Sequence, residues 1–213
     1  HIGYMVFGIA LGNQLGMSGA VYYVAHHIVV QTTLFLVVGL IERQAGASTL
    51  QRLGGLAAAS PLLAFIFVVP ALNLGGIPPF SGFIGKVALL EAGAQSGTTL
   101  AWVLVGGSVA TSLLTLYAVT RVWTKAFWRA RADAPEGDLS NTVPAALIDD
   151  DDDIAFADRN DVGKMPLGML LPTGALIAVG LALTVFAGPI YAYSERAGEQ
   201  ILDREQYISA VLQ

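Results

Sequence analysis

A single lysine, Lys86, closes the stretch NLGGIPPFSGFIGK (73–86), inside a run with no other charge between Arg52 and Glu91. An ammonium group at the centre of a bilayer costs about 2.5–3.5 kcal/mol on insertion scales, and ionisable groups found there usually serve transport or proton relay. Burial away from water disfavours the charged form of a lysine, and the positive end of a helix starting just before it acts in the same sense. Lys86 therefore reads as a group that takes up and releases a proton near neutral pH. The competing reading is a lysine that snorkels to an interface; its place between Gly85 and Val87, in mid-segment, speaks against that. Glu91, five residues on, reads either as a partner or exit lining for a cation or as a marker of the interface.

Histidines raise the same chemistry in YYVAHHIVVQTTLFLVVG (22–39). An imidazole passes protons at physiological pH. Tyr23, His27 and Gln31 fall at four-residue intervals on one helix face, the pattern of a relay with His27 favoured and His26 beside it. Polar residues also join transmembrane helices without transporting anything, so packing is the alternative. Ser108, Thr111, Ser112 and Thr115 lie at helical spacing further on; such hydroxyls hold water or bond back to the preceding turn. No metal site is expected, because the chain has three histidines and no cysteine and adjacent histidines point to different faces.

The elements that must position these groups are helices. Uncharged runs cover 15–41, 53–85, 100–120 and 167–192, each reaching the roughly 20 residues that cross ~30 Å of hydrocarbon. Charged residues make up 13% of the 213, and mean hydropathy is +0.63; about 25% charge is usual for soluble domains. The fold class expected is an all-α membrane protein, a polytopic transmembrane bundle. Its parts are a partial helix over 1–16 that begins before the chain does, a histidine helix over 20–41, a segment over 61–92, a helix over 100–127, an acidic loop over 129–166, a last transmembrane helix over 167–190 and a tail over 191–213. The tail reads as a short amphipathic helix or a frayed end.

The segment 61–92 is too long for one straight crossing, and its middle holds Gly75-Gly76 and Pro78-Pro79. Proline removes an N–H and clashes with the preceding turn, while glycine costs backbone entropy. A discontinuous helix follows, with its second half starting near Phe80 or Ser81 and Lys86 one to two turns inside. Interrupted backbone at mid-depth is tolerated only within protein or beside a water-filled cavity, and it is a recurrent ion-site device of transporters.

Eight cations (Arg43, Arg52, Arg121, Lys125, Arg129, Arg131, Arg159 and Lys164) lie on one side of these spans, against Arg196 and Arg204 on the other. The first side is then cytoplasmic and the tail extracytoplasmic. Between Arg129 and Pro166 ten acids face four bases, a balance of −6 centred on Asp149 to Asp153; the loop reads as a self-repelling solvated segment or an attractor of cations. No phosphate-cradling loop or basic soluble patch supports a hydrolase, nucleotide or nucleic-acid role.

GGIPPFSGFIGK (75–86), AHHIVVQTTLFLVVG (25–39) and HIGYMVFG (1–8) resemble the antiporter-like subunits shared by Mrp-type multisubunit cation/proton antiporters and respiratory complex I. The resemblance spans essentially the whole chain, as the C-terminal portion of a larger subunit. Lysine in the broken-helix motif, the close of the chain soon after its last span and the ending ILDREQYISAVLQ (201–213) favour the D-type Mrp subunit. The resemblance implies a proton-translocating subunit of a Na+/H+ antiporter in a bacterial plasma membrane, working with A, B, C, E, F and G type subunits and membrane lipids, without a cofactor and not itself an enzyme. It assigns proton translocation to Lys86 and a proton-carrying role to His27. Many members carry a lysine where this chain has Gln31, which leaves that position without a titratable group and His26 or water to serve instead. A proton-pumping subunit of complex I (NADH:quinone oxidoreductase) is the alternative.

Overall fold

Backbone polar groups in hydrocarbon have no partner but one another. In the computed structural model, which describes residues 1–135, 163 and 165–211, the long apolar runs are accordingly helical, and no strand occurs among the described residues. The helices are α1 (Ile2–Ala10), α2 (Gln14–Ala45), α3 (Leu56–Ala59), α4 (Pro61–Gly75), α5 (Ser81–Ser96), α6 (Thr99–Val122), α7 (Leu167–Val185), α8 (Ala187–Leu202) and α9 (Arg204–Val211). The last turns after α6 widen into a π-helix, Trp123–Trp128. Among the described residues, three helical stretches are long and apolar enough to cross a membrane: Gln14–Ala45, Thr99–Trp128 and Leu167–Val185. The fold is an all-α membrane bundle with a discontinuous helix. Most of the acidic segment, Asp149 to Asp153 included, lies outside the described residues.

Local chemistry explains where the boundaries depart from hydrophobicity alone. Expected from about residue 20, α2 starts at Gln14 because the Asn13 side-chain carbonyl accepts the Gly16 N–H at 2.7 Å, satisfying one of the free donors of the first turn. The segment 61–92 is indeed two helices, α4 and α5, separated at Gly76–Phe80. The tail is helical over α8 and α9, and α8 turns one face of small residues, Ala187, Ser194 and Gly198, inward.

The chain forms two compact units. The first comprises residues 1–31, 72–116 and 178–213; the second comprises 32–71 and 117–177. In the first unit Tyr4, Phe7, Tyr23 and Leu89 make a buried cluster between α1, α2 and α5. In the second unit the core is apolar: Val37, Leu40, Ile41, Leu63, Phe67 and Phe127 are buried together. The Phe127 ring stands 4.9 Å from those of both Phe67 and Trp123. One arginine closes this unit. The Arg129 guanidinium donates to the carbonyls of Leu50 and Leu53, the latter at 2.7 Å, and the Arg129 carbonyl accepts the Gly55 N–H at 2.6 Å. The loop between α2 and α3 is thereby tied to the end of the π-helix.

Hydrogen bonds to a charged donor contribute about 1.5–3 kcal/mol each. Arg129→Ala is expected to lower the thermal unfolding midpoint of the detergent-solubilised protein and to speed proteolysis within residues 46–55. An unchanged midpoint together with unchanged cleavage would show that the loop is held by other contacts.

Candidate functional site

The site is built around the interruption between α4 and α5, within the first unit. Every helix end leaves backbone groups without partners, and a break inside a membrane doubles the problem. On the α4 side, Gly76 takes a left-handed φ of +80°, which returns its N–H to the carbonyls of Leu72 and Asn73, both at 3.1 Å, and brings the Ile77 N–H to Leu72 at 3.2 Å. The two following carbonyls, Leu74 and Gly75, accept hydrogen bonds from Lys86 Nζ at 2.9 and 3.0 Å. Lys86 is 4% exposed. Gly76 also leaves room for it: a Cβ there would stand 2.8 Å from Lys86 Cδ. The negative end of α4 therefore faces the ammonium directly, a stabilising contribution that the sequence pattern, which showed only the start of α5, did not reveal.

On the α5 side, the Asn73 side chain reaches over the gap. Its Oδ1 accepts the Gly82 N–H at 2.9 Å and the Ser81 hydroxyl at 3.2 Å, and the Ser81 N–H goes to Thr184 Oγ1 at 3.0 Å. Pro78-Pro79, the remaining part of the link, is joined by a cis peptide bond.

His26 enters here. It is 1% exposed, with Nδ1 3.0 Å from Ser81 Oγ. Ser81 has one proton to give, and giving it to Asn73 makes His26 Nδ1 the donor and Nε2 the unprotonated nitrogen. Nε2 is buried with no partner among the described residues, close enough to Gly82 that a Cβ there would stand 3.0 Å from it. A buried acceptor without a donor calls for explanation; here it lies beside Gly82, in the turn of α5 that precedes Lys86.

His27 points elsewhere, as helical spacing requires. Its ring stacks on His1 at 5.3 Å between centroids, and His1 Nδ1 lies 2.6 Å from the Tyr23 hydroxyl. Tyr4, 3% exposed, presents its ring face to Lys86 Nζ at 5.5 Å, within cation–π range. The Tyr4 hydroxyl donates to the Ser108 carbonyl and lies 2.6 Å from Ser112 Oγ. Thr111 and Thr115 bond back to the carbonyls of Gly107 and Thr111 at 2.9 and 2.8 Å.

Of the residues singled out from sequence, Gly75, Gly76, Pro78, Pro79, Lys86 and His26 thus meet at the break. His27 belongs to a second polar branch with His1 and Tyr23. Gln31 is half-buried one turn further along α2. Glu91 is exposed and accepts from Gln95 Nε2 at 3.2 Å rather than meeting Lys86; it lines an open hollow with Gln14, Ser18 and Glu195. Asn73, Ser81, Thr184, Tyr4 and His1 were not singled out. Asn73 had a legible signal, being the one amide in the apolar run before the break; the others are common residues made important only by contacts distant in sequence.

Residues 1–115 match a family model described as NADH:quinone oxidoreductase/Mrp antiporter, transmembrane. Over 212 residues the chain is 36% identical to the D-type subunit of the Na+/H+ antiporter of Alkalihalophilus pseudofirmus, covering 100% of this chain and 38% of that protein. It is 28% identical over 211 residues to the corresponding D-type Na+/H+ antiporter protein of Bacillus subtilis, covering 99% of this chain and 37% of that one. A chain in the solved structure of an Mrp complex from a Dietzia species superposes with a TM-score of 0.76 at 32% identity, over 99% of this chain and 42% of that chain. The chain thus spans about two fifths of the length of the relatives it matches.

Gly82 packs so closely against the Asn73 carbonyl and the His26 ring that an added methyl has no room; its Cβ would stand 2.9 Å from His26 Cε1. Gly82→Ala is expected to cost about 1–3 kcal/mol of stability, read as a lowered unfolding midpoint. Gly106→Ala, where a Cβ meets nothing within 4 Å, serves as the control; equal midpoints for the two would show that the break tolerates repacking.

Proposed function

The chain belongs to the NADH:quinone oxidoreductase/Mrp antiporter transmembrane family, and from that membership we propose that it is a proton-translocating part of a monovalent cation (Na+)/H+ antiporter subunit of the D type. Lys86 is the group that changes protonation, and His26 and His27 deliver or remove its proton. The observation that carries this reading is the seat of Lys86: a buried ammonium bonded only to two main-chain carbonyls, Leu74 and Gly75, at a helix interruption. Among the described residues no carboxylate holds its charge there. A neutral amine keeps two N–H bonds, enough for both carbonyls, so the lysine can lose its proton while the break stays satisfied. Transport needs such a site, where the change of charge leaves the scaffold standing.

The two histidines then divide the work. His26, with its free Nε2 beside Gly82, is the group placed to exchange protons with the break through water. His27, in contact with His1 and near Tyr23, feeds the same region from the other face of α2. Partner subunits of an Mrp-type complex, Na+ and H+ as the exchanged ions, and a bacterial plasma membrane belong to the same proposal; the names of the D-type relatives favour it over a place in NADH:quinone oxidoreductase.

In vesicles carrying the complete complex, Lys86→Ala is expected to reduce Na+-driven pH change at least tenfold. Because that substitution also leaves two carbonyls unpaired, assembly and unfolding midpoint are measured alongside; full exchange in an assembled Lys86→Ala complex would remove Lys86 from the mechanism. His26→Ala is expected to lose more activity than His27→Ala, with the His27→Ala deficit largest at alkaline pH, where donor protons are scarce. Equal, undiminished rates for both would reduce the pair to packing.

A further inference from the structure

The second unit carries a charged hollow that the transport reading does not use. Arg121 and Lys125 lie in the last turns of the span Thr99–Trp128, and Arg129 follows directly after it. With the loop Thr49–Gln51 opposite, the three side chains border one hollow of about 270 Å³. Arg129 is fixed by the carbonyls of Leu50 and Leu53, yet its Nε is buried with no partner. Among the described residues, the side chains of Arg121 and Lys125 meet no carboxylate. Three positive charges thus converge where a membrane-crossing helix ends, and their counter-charge is not supplied by the described part of the chain.

The surroundings identify the kind of anion. Tyr117, one turn before Arg121, is 65% exposed, and Trp128 is 68% exposed. Tyrosine and tryptophan with an apolar body and a polar edge settle at the boundary between hydrocarbon and headgroups. A free phosphate has no use for these rings; a phosphate carrying acyl chains lies against them. The excess of positive charge also disfavours a zwitterionic headgroup, which brings its own ammonium into the hollow. We propose that this hollow binds the phosphate of an anionic phospholipid, with Arg121 and Lys125 pairing to its oxygens, pre-positioned Arg129 completing the cation set, and Tyr117 and Trp128 flanking the glycerol and upper acyl chains. Basic pockets at the ends of transmembrane helices are the expected receptors for such headgroups. The other available anion is the chain's own run Asp149 to Asp153, which supplies charge but no apolar surface for the exposed rings.

The test uses the complete complex, delipidated in detergent and titrated with phosphatidylglycerol or phosphatidylcholine while bound lipid is counted by native mass spectrometry. Arg121→Gln with Lys125→Gln is expected to weaken phosphatidylglycerol binding at least tenfold and to leave phosphatidylcholine unchanged, whereas Arg121→Lys with Lys125→Arg retains most of the affinity. Undiminished phosphatidylglycerol binding in the double glutamine variant overturns the proposal. Millimolar inorganic phosphate is expected not to displace the lipid; displacement would make the hollow a simple anion site. Replacing Asp149 to Asp153 by asparagine is expected to leave lipid affinity unchanged, and a several-fold rise would assign the hollow to the chain's own carboxylates instead.

Discussion

The structure of the first unit depends on a lysine performing the task that water performs at the end of an exposed helix. α4 stops at Gly75, where a bilayer offers nothing to the last carbonyls. Lys86, reaching back from the second turn of α5, supplies two donors to Leu74 and Gly75. Remove the break and the lysine loses the two carbonyls that are its hydrogen-bond partners among the described residues; remove the lysine and the break is left with bare oxygens. The two features that looked separately anomalous in the sequence, a backbone interruption and a lone cation, are each the condition for the other.

The same economy holds on the facing side. Asn73 takes the Gly82 N–H and the Ser81 hydroxyl, Thr184 takes the Ser81 N–H, and the serine hydroxyl is left to orient His26. These bonds set the histidine tautomer by exclusion and leave one nitrogen without a partner. A fully satisfied network would be rigid and inert. This one is satisfied at Asn73 and Ser81 and leaves the Nε2 atom of His26, beside the lysine's helix, without a partner among the described residues.

Much of this was legible from residue types, and the exceptions have physical causes. Glycine and proline chemistry located the break, and the isolation of Lys86 in an uncharged run located the cation, because both are local properties. The choice between His26 and His27 was not local. The stripe Tyr23, His27, Gln31 favoured His27; a repeat of four marks a face without saying what each ring on it meets, and in the structure His26 bonds to Ser81 of α5 while His27 stacks on His1. Tyr4 and His1 went unnoticed because their partners are contributed by α2, α5 and α6, as when Tyr4 bonds to Ser108 and Ser112. The start of α2 was missed by hydrophobicity because Asn13, a polar cap, determines it.

The buried polar groups are also unequal between the units. In the first, the buried side chains include His26 and Lys86, which can hold a proton. In the second, the buried polar side chains among the described residues are Thr33, Ser60 and Thr173, and hydroxyls pass protons along without storing them at physiological pH. Around them the core is Val37, Leu40, Leu63, Phe67 and Phe127, a medium in which a free charge is expensive. Among the described residues, the buried side chains that can hold a proton at physiological pH therefore belong to the first unit. The buried ammonium accordingly has its main-chain partners at the helix break, where Leu74 and Gly75 accept from it, and not in the apolar core of the second unit, where a charge without such carbonyls is costly.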